Sequence, residues 1–113
     1  MHELSICYEI IKSVEQIVAE NELEKVNKIT LEIGELSSIV KKYLLDCFAP
    51  AVENTMFADT IIELETIEGI AICNGCGTNF NVIKNNGYCP NCKIRDMEVI
   101  SGKEFLIKSI EAY

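Results

Sequence analysis

Cys73-Asn74-Gly75-Cys76 and, 12 residues further on, Cys89-Pro90-Asn91-Cys92 decide how this chain is read. Two C-x₂-C pairs at this spacing fit a closed, tetrahedral four-thiolate zinc site. The two-residue gap suits a tight turn. From such a turn both sulfurs of a pair reach one ion while nearby backbone N–H groups point at the thiolates. Gly75 and Gly77 give the first turn a permissive backbone, and Pro90 stiffens the second. Between the pairs, Phe80, Val82 and Ile83 precede Asn85-Asn86-Gly87, a turn signal, so a short hairpin is expected to carry one knuckle round to the other. The same cysteines admit two other readings: a pair of disulfides, or a redox Cys-x-x-Cys beside a spare pair. A redox motif is expected singly beside a βαβ unit, not as two motifs facing each other.

The chain around this loop has 113 residues, which bounds it to one small domain or two very small modules. It is 49% hydrophobic and 25% charged, an ordinary globular balance that allows one modest core. The cysteine loop, from about Ile67 to Ser101, is too short to bury a core of its own. A structural metal answers that deficit, contributing on the order of 10–16 kcal/mol of apparent folding free energy in small zinc peptides.

The formal net charge of −8 argues against a nucleic-acid-binding ribbon, since phosphates would be repelled. Four deprotonated thiols around zinc add about −2 more. No apolar run reaches membrane-spanning length. The first 20 residues carry acids, no basic start and no small-residue cleavage site, unlike a signal peptide. With zinc-spaced cysteines, this points to a reducing cytoplasm.

The flanking chain is patterned in alternating helix and strand. Over residues 3–20, Leu4, Cys7, Ile11, Val14 and Val18 form an amphipathic stripe widened by Ile10 and Ile17. Asn21-Glu22 marks the exit. Residues 25–33 alternate, with Val26, Ile29, Leu31 and Ile33 on the buried side of a strand. Gly34-Glu35-Leu36-Ser37-Ser38 reads as a turn with Ser37 or Ser38 as a helix N-cap. The next helix is expected to run to about Ala49 with Val40, Leu44, Cys47, Phe48 and Val52 inward, and with Pro50 in or just past its last turn. Thr60 to Ile67 alternates again, and a last strand runs from Glu104 to Ala112. The predicted fold is α+β: two helices on one face of a three-stranded sheet, with the four-cysteine zinc ribbon inserted before the last strand. The expected division is residues 1–67 plus 103–113 for the α/β module and residues 68–102 for the zinc module. The two connecting strands, near Ile67–Ile70 and Ser101–Lys103, are expected to act as a hinge.

The amino terminus is the second place where chemistry can sit. His2 is the only histidine. An α-amine on Met1, the His2 amide nitrogen and the His2 imidazole can wrap one ion in fused chelate rings. Deprotonating an amide near neutral pH takes a metal late in the affinity order, and nitrogen-rich square-planar geometry suits Ni²⁺ or Cu²⁺. Glu3 can add its amide or carboxylate. The plainer reading is a solvated histidine and a first-turn glutamate complementing the helix dipole. Cys7 and Cys47, each on an apolar stripe, read as buried core thiols. Glu63, Glu65 and Glu68 read as the solvated face of a strand.

Met1-His2-Glu3-Leu4-Ser5-Ile6 opening a helix, then Gly34-Glu35-Leu36-Ser37, then the paired Cys-x-x-Cys motifs, together resemble the HypA-type hydrogenase maturation factors, called HybF in one branch. The resemblance covers essentially the whole chain. It implies a nickel metallochaperone, not an enzyme, that delivers Ni(II) to [NiFe]-hydrogenase and in some bacteria to urease. It implies nickel ligands at Met1, His2 and Glu3, and structural zinc on Cys73, Cys76, Cys89 and Cys92. Its implied partners are a GTPase accessory protein of nickel insertion and the hydrogenase large subunit. The charge and the lack of a long apolar run add no nucleic acid and no membrane, and the sequence leaves monomer and homodimer both open. Some relatives add an acidic nickel ligand early in the second helix. Here that stretch is Ser38-Ile39-Val40-Lys41, so four-nitrogen coordination or water is expected to complete the shell. The rival reading is a zinc-ribbon interaction module without exchangeable metal.

Overall fold

The computed structural model describes residues 2–113; Met1 lies outside the described residues, and of His2 only the backbone is described. Eight elements follow in order: α1 (His2–Glu20), β1 (Val26–Gly34), α2 (Lys41–Val52), β2 (Ile61–Ile67), β3 (Ile70–Cys73), β4 (Asn79–Asn81), β5 (Met97–Val99) and β6 (Phe105–Ala112). They form two three-stranded sheets, ordered β2-β1-β6 and β4-β3-β5. The chain divides into two compact units. The first holds Met1–Leu31, Ser38–Glu65 and Leu106–Tyr113, and the second holds Glu32–Ser37 and Thr66–Phe105. The fold is α+β, as the helix and strand periods predict.

In the first unit, α1 packs on α2 through the apolar stripe read from the sequence. Cys7, Ile10, Ile11 and Val14 are buried, as are Leu44, Phe48 and Ala51 of α2. The helix exit falls where Asn21-Glu22 signals it. Glu22 adopts a left-handed φ of 51°, and the Leu23 N–H reaches back to the Val18 carbonyl at 3.0 Å, a Schellman-type end. Strand β1 is central and the most buried, with Val26, Ile29, Leu31 and Ile33 all nearly inaccessible. It runs parallel to β2: the Thr60 hydroxyl donates to the Val26 carbonyl at 2.8 Å, and Lys28 pairs with Glu63 further along both strands. The crossover between the parallel strands is α2, as parallel pairing requires. Strand β6 is antiparallel to β1, with Tyr113 and Lys25 exchanging N–H···O bonds at 3.0 and 3.1 Å.

Three local expectations are corrected. Neither Ser37 nor Ser38 caps α2; the helix begins at Lys41, and its N-cap, Val40, makes no side-chain cap bond. The Ser37 hydroxyl instead donates to the Gly34 carbonyl at 2.7 Å, closing its own turn. Val40, expected inward, is 46% exposed because it precedes the helix and does not lie on its stripe. The helix runs past Ala49 to Val52 and holds Pro50 inside its last turn. Periodicity also misses Phe57, the largest fully buried side chain. It sits in a loop, where no repeat marks it. The Thr55 hydroxyl, bonded to the Val52 carbonyl at 2.6 Å, accepts from the Phe57 N–H at 3.1 Å and turns the ring inward.

The second unit has a tight root. At Gly102, φ is 99°, and a Cβ there would strike Gly69 and the Glu68 carbonyl; one on Gly34 would strike the Gly102 carbonyl. Only chains without side chains at these points approach so closely. Leu36 covers Gly69, and the Leu36 N–H donates to the Gly102 carbonyl at 2.7 Å. The Glu35 carboxylate accepts from the Gly69 N–H at 2.9 Å and the Asn81 amide at 3.0 Å. The Gly34-Glu35-Leu36-Ser37 stretch is therefore the latch of this root. The segments expected to hinge, near Ile70 and Ser101, are bonded to each other: the Ile70 carbonyl accepts from Ile100 at 2.8 Å.

Phe57→Ala is expected to cost about 3–5 kcal/mol, read as a lower urea midpoint of the zinc-loaded protein. The Gly69 N–H first, and then the Asn81 amide, hold the Glu35 carboxyl below its ordinary value of 4.5. A depressed carboxylate stabilises the fold above its unfolded pKa, and that contribution fades as pH falls through the folded value. Glu35→Ala is expected to lower the melting temperature at neutral pH, with the difference from the parent vanishing in acid; an equal difference at both pH values would contradict the latch.

Candidate metal centres

The four cysteines meet at one point. Cys73, Cys76, Cys89 and Cys92 bring their Sγ atoms within 4.8 Å of one another. The Cys73–Cys92 sulfurs are 3.4 Å apart and the Cys76–Cys89 sulfurs 3.6 Å. Disulfide sulfurs lie about 2.0 Å apart, and all six cysteines are free. Four thiolates each about 2.3 Å from zinc stand roughly 3.8 Å from one another. The cluster therefore has the size and donor set of a four-thiolate zinc site.

The two knuckles are copies of one backbone device. The Gly77 N–H bonds the Cys73 carbonyl at 2.8 Å, and the Lys93 N–H bonds the Cys89 carbonyl at 2.9 Å. In the same way the Cys73 N–H bonds the Thr78 carbonyl and the Cys89 N–H the Ile94 carbonyl, both at 2.9 Å. The residue after each pair must turn left-handed: φ is 77° at Gly77 and 67° at Lys93. Lysine does at the second knuckle what glycine does at the first, with its ammonium tied to the Pro90 carbonyl at 2.9 Å. Amides point at sulfur as expected, from Gly75 to Cys73 at 3.3 Å and from Cys92 to Cys89 at 3.5 Å.

Strand pairing brings the knuckles together. Strand β3 ends in Cys73 and pairs antiparallel with β4, Ala71 opposite Phe80, so the first knuckle is the tip of a hairpin. Asn86 and Gly87, at φ 54° and 81°, turn the spacer back, and β5 then pairs with β3, Met97 opposite Cys73. The core beneath is small: Ala71, Cys73, Phe80 and Cys89, with Val82, Met97 and Val99 packed on it. Two of its four buried members are metal-ligand candidates, so the ion's site and the apolar core are one structure.

Without metal, the thiols share charge unequally. Hydrogen bonds from the Thr78 hydroxyl, the Asn91 side chain and the Thr78 backbone pull Cys76 down to about 5. Cys89 is lowered chiefly by the Cys92 amide. At Cys92 the Ile94 amide pulls downward, but Cys73, burial and the other two thiols outweigh it and leave the group at about 12. Sequence reading missed these supports. Thr78 Oγ1 lies 3.1 Å from the Cys76 sulfur, and Asp96 grips Asn74 twice, through side chain and backbone, each at 2.9 Å. Spacing rules see ligands, whereas Asp96 lies 20 residues past Cys76 and is marked by no motif.

The other candidate site begins at the chain start. Met1, expected as a ligand there, lies outside the described residues. Helix α1 starts at His2, with Glu3 as the acid of its first turn. The first turn of α2 holds no acid, as the sequence indicates. Cys7 is not part of an open site: it is fully buried, and its thiol donates to the Leu44 carbonyl at 3.5 Å.

Fold and cluster together define a small α+β protein carrying a four-cysteine zinc ribbon. A family model described as hydrogenase/urease nickel incorporation, metallochaperone, hypA, matches residues 1–112. The chain belongs to this HypA family of nickel metallochaperones. The hydrogenase maturation factor HypA of Chlorobium limicola is 33% identical over 110 residues, covering 97% of this chain and 95% of the relative. That of Dehalococcoides mccartyi (strain 195) is 35% identical over 111 residues, covering 98% and 93%. Two solution structures share the fold. The Ni metallochaperone HypA from Helicobacter pylori has a TM-score of 0.68 at 22% identity, covering 97% and 96% of the two chains. A second HypA protein has a TM-score of 0.71 at 24% identity, covering 100% and 97%.

Cys89→Ser is expected to abolish stoichiometric zinc and to melt the β3–β5 sheet, read by metal analysis and amide exchange.

Proposed function

We propose that this chain carries Ni(II) at its amino terminus and delivers it during maturation of [NiFe]-hydrogenase, and of urease where that enzyme is present. The family match over nearly the whole chain is the observation that carries this reading. The ligands are the Met1 amine, the His2 amide and imidazole, and Glu3. The helix start supports them physically. The first four N–H groups of an α-helix have no intrahelical acceptor. Because α1 begins at His2, deprotonating the His2 or Glu3 amide breaks no helical hydrogen bond. The positive end of the helix dipole favours the resulting amide anion and disfavours the cation. Both effects suit a site that binds and then lets go by replacing one ligand at a time.

The four cysteines hold zinc as a structural ion that shapes residues 68–102, while residues 1–67 plus 103–113 form the nickel module. The protein is a carrier and not an enzyme, and it works in the cytoplasm. Its partners are the GTPase accessory protein of nickel insertion and the hydrogenase large subunit. Nucleic acid is disfavoured by the net charge of −8. No described helix is long and apolar enough to cross a membrane.

Nickel titration of zinc-loaded, native-start protein beside a form with one extra N-terminal residue tests the reading. The extension and His2→Ala should each abolish the exchangeable site while zinc content stays whole. Wild-type nickel affinity should fall below about pH 6.5, where histidine takes a proton. Equal nickel uptake by the extended chain would sink the assignment.

A further inference from the structure

Two thiols remain that neither metal site uses. Cys7 of α1 is fully buried, and Cys47 of α2 is half-buried and free. Cys7 places its sulfur 3.5 Å from the Leu44 carbonyl, so the helices approach closely there. A helix carbonyl points toward the C-terminal end of its own helix. Residues three apart share a helix face, and Leu44 and Cys47 are three apart. The Cys7 sulfur therefore sits at the turn of α2 that carries Cys47. Charge coupling agrees with this placement: burial first, then Cys47, then Glu3 push the Cys7 thiol up to about 12. Burial shields Cys7 from small reagents, so Cys47 is the thiol that an outside disulfide meets first.

We propose that Cys7 and Cys47 are an oxidisable dithiol, which a low-molecular-weight disulfide converts into a covalent bond between α1 and α2. Cys47 attacks the small disulfide, forming a mixed disulfide and releasing one thiolate. Cys7 gives up its proton and attacks the Cys47 sulfur, releasing the second small thiol. The protein loses two hydrogens and the small disulfide gains them. The bond ties together residues 40 positions apart and anchors the helix that opens the chain. It stands independently of metal carriage, since it needs neither ion.

Zinc-loaded full-length protein is treated with oxidised glutathione and followed by thiol counting and intact mass, with zinc retention as the check on folding. The wild type should lose two of its six thiols, shed the mass of two hydrogens, and yield a linked peptide joining Cys7 to Cys47. Cys7→Ser, or Cys7→Ala should the serine unfold, should stop at a glutathione adduct on Cys47. Cys47→Ser should stay unmodified. A wild-type chain that does not react, that keeps the adduct on Cys47, or that links a ribbon cysteine instead overturns the proposal.

Discussion

Four sulfurs gathered within 4.8 Å are what the second unit of this protein rests on. The apolar cluster beneath them gathers Ala71, Cys73, Phe80 and Cys89, a small core for a chain segment of this length to offset its entropy with. A divalent ion shared by four thiolates fills that gap, because ligand bonds substitute for packing in small metal-binding modules. It also explains why the same residues serve as core and as ligands. Cys73 and Cys89, the first of each pair, are buried, whereas Cys76 and Cys92 face outward. Each knuckle thus has one sulfur anchored in protein and one near water.

The ligands alone do not shape this unit. Its root is built from backbone that has shed its side chains, at Gly34, Gly69 and Gly102, and is tied by Glu35. A carboxylate that accepts two N–H bonds at once fixes the turn after β1 to the start of β3 and to β4. The strand edges of the first unit follow a different rule. β2 and β6 are both edges of their sheet, and both carry charges: Glu63 and Glu65 on β2, paired with Lys28 of the central β1 and with Lys108 of β6. Such pairs add little stability in water, but charges on an edge discourage unwanted strand addition.

A carrier must hold two ions on different terms. Four cysteine sulfurs gathered at one point, supported by the Gly75 and Cys92 amides and by Thr78, suit an ion that is part of the fold. A helix start offers the opposite: amides with no structural duty, at the limit of the chain. The proposed division of labour rests on where each donor set lies and needs no specialised fold.

The sequence by itself determined the main elements and the four-cysteine cluster. Periodic stripes marked α1 and β1, because burial on one face repeats every helical turn or every second residue. The Cys-x-x-Cys spacing marked the zinc cluster, because two sulfurs of one tight turn can reach only one point. What only the tertiary structure decided was everything without a period. Phe57 is buried from a loop, and Lys93 takes a glycine's conformation. Asp96 grips the first knuckle from afar, and Gly34-Glu35-Leu36-Ser37 latches to Gly69 and not to α2. Those contacts join residues distant in the chain, and distance in the chain leaves no local trace until the backbone closes.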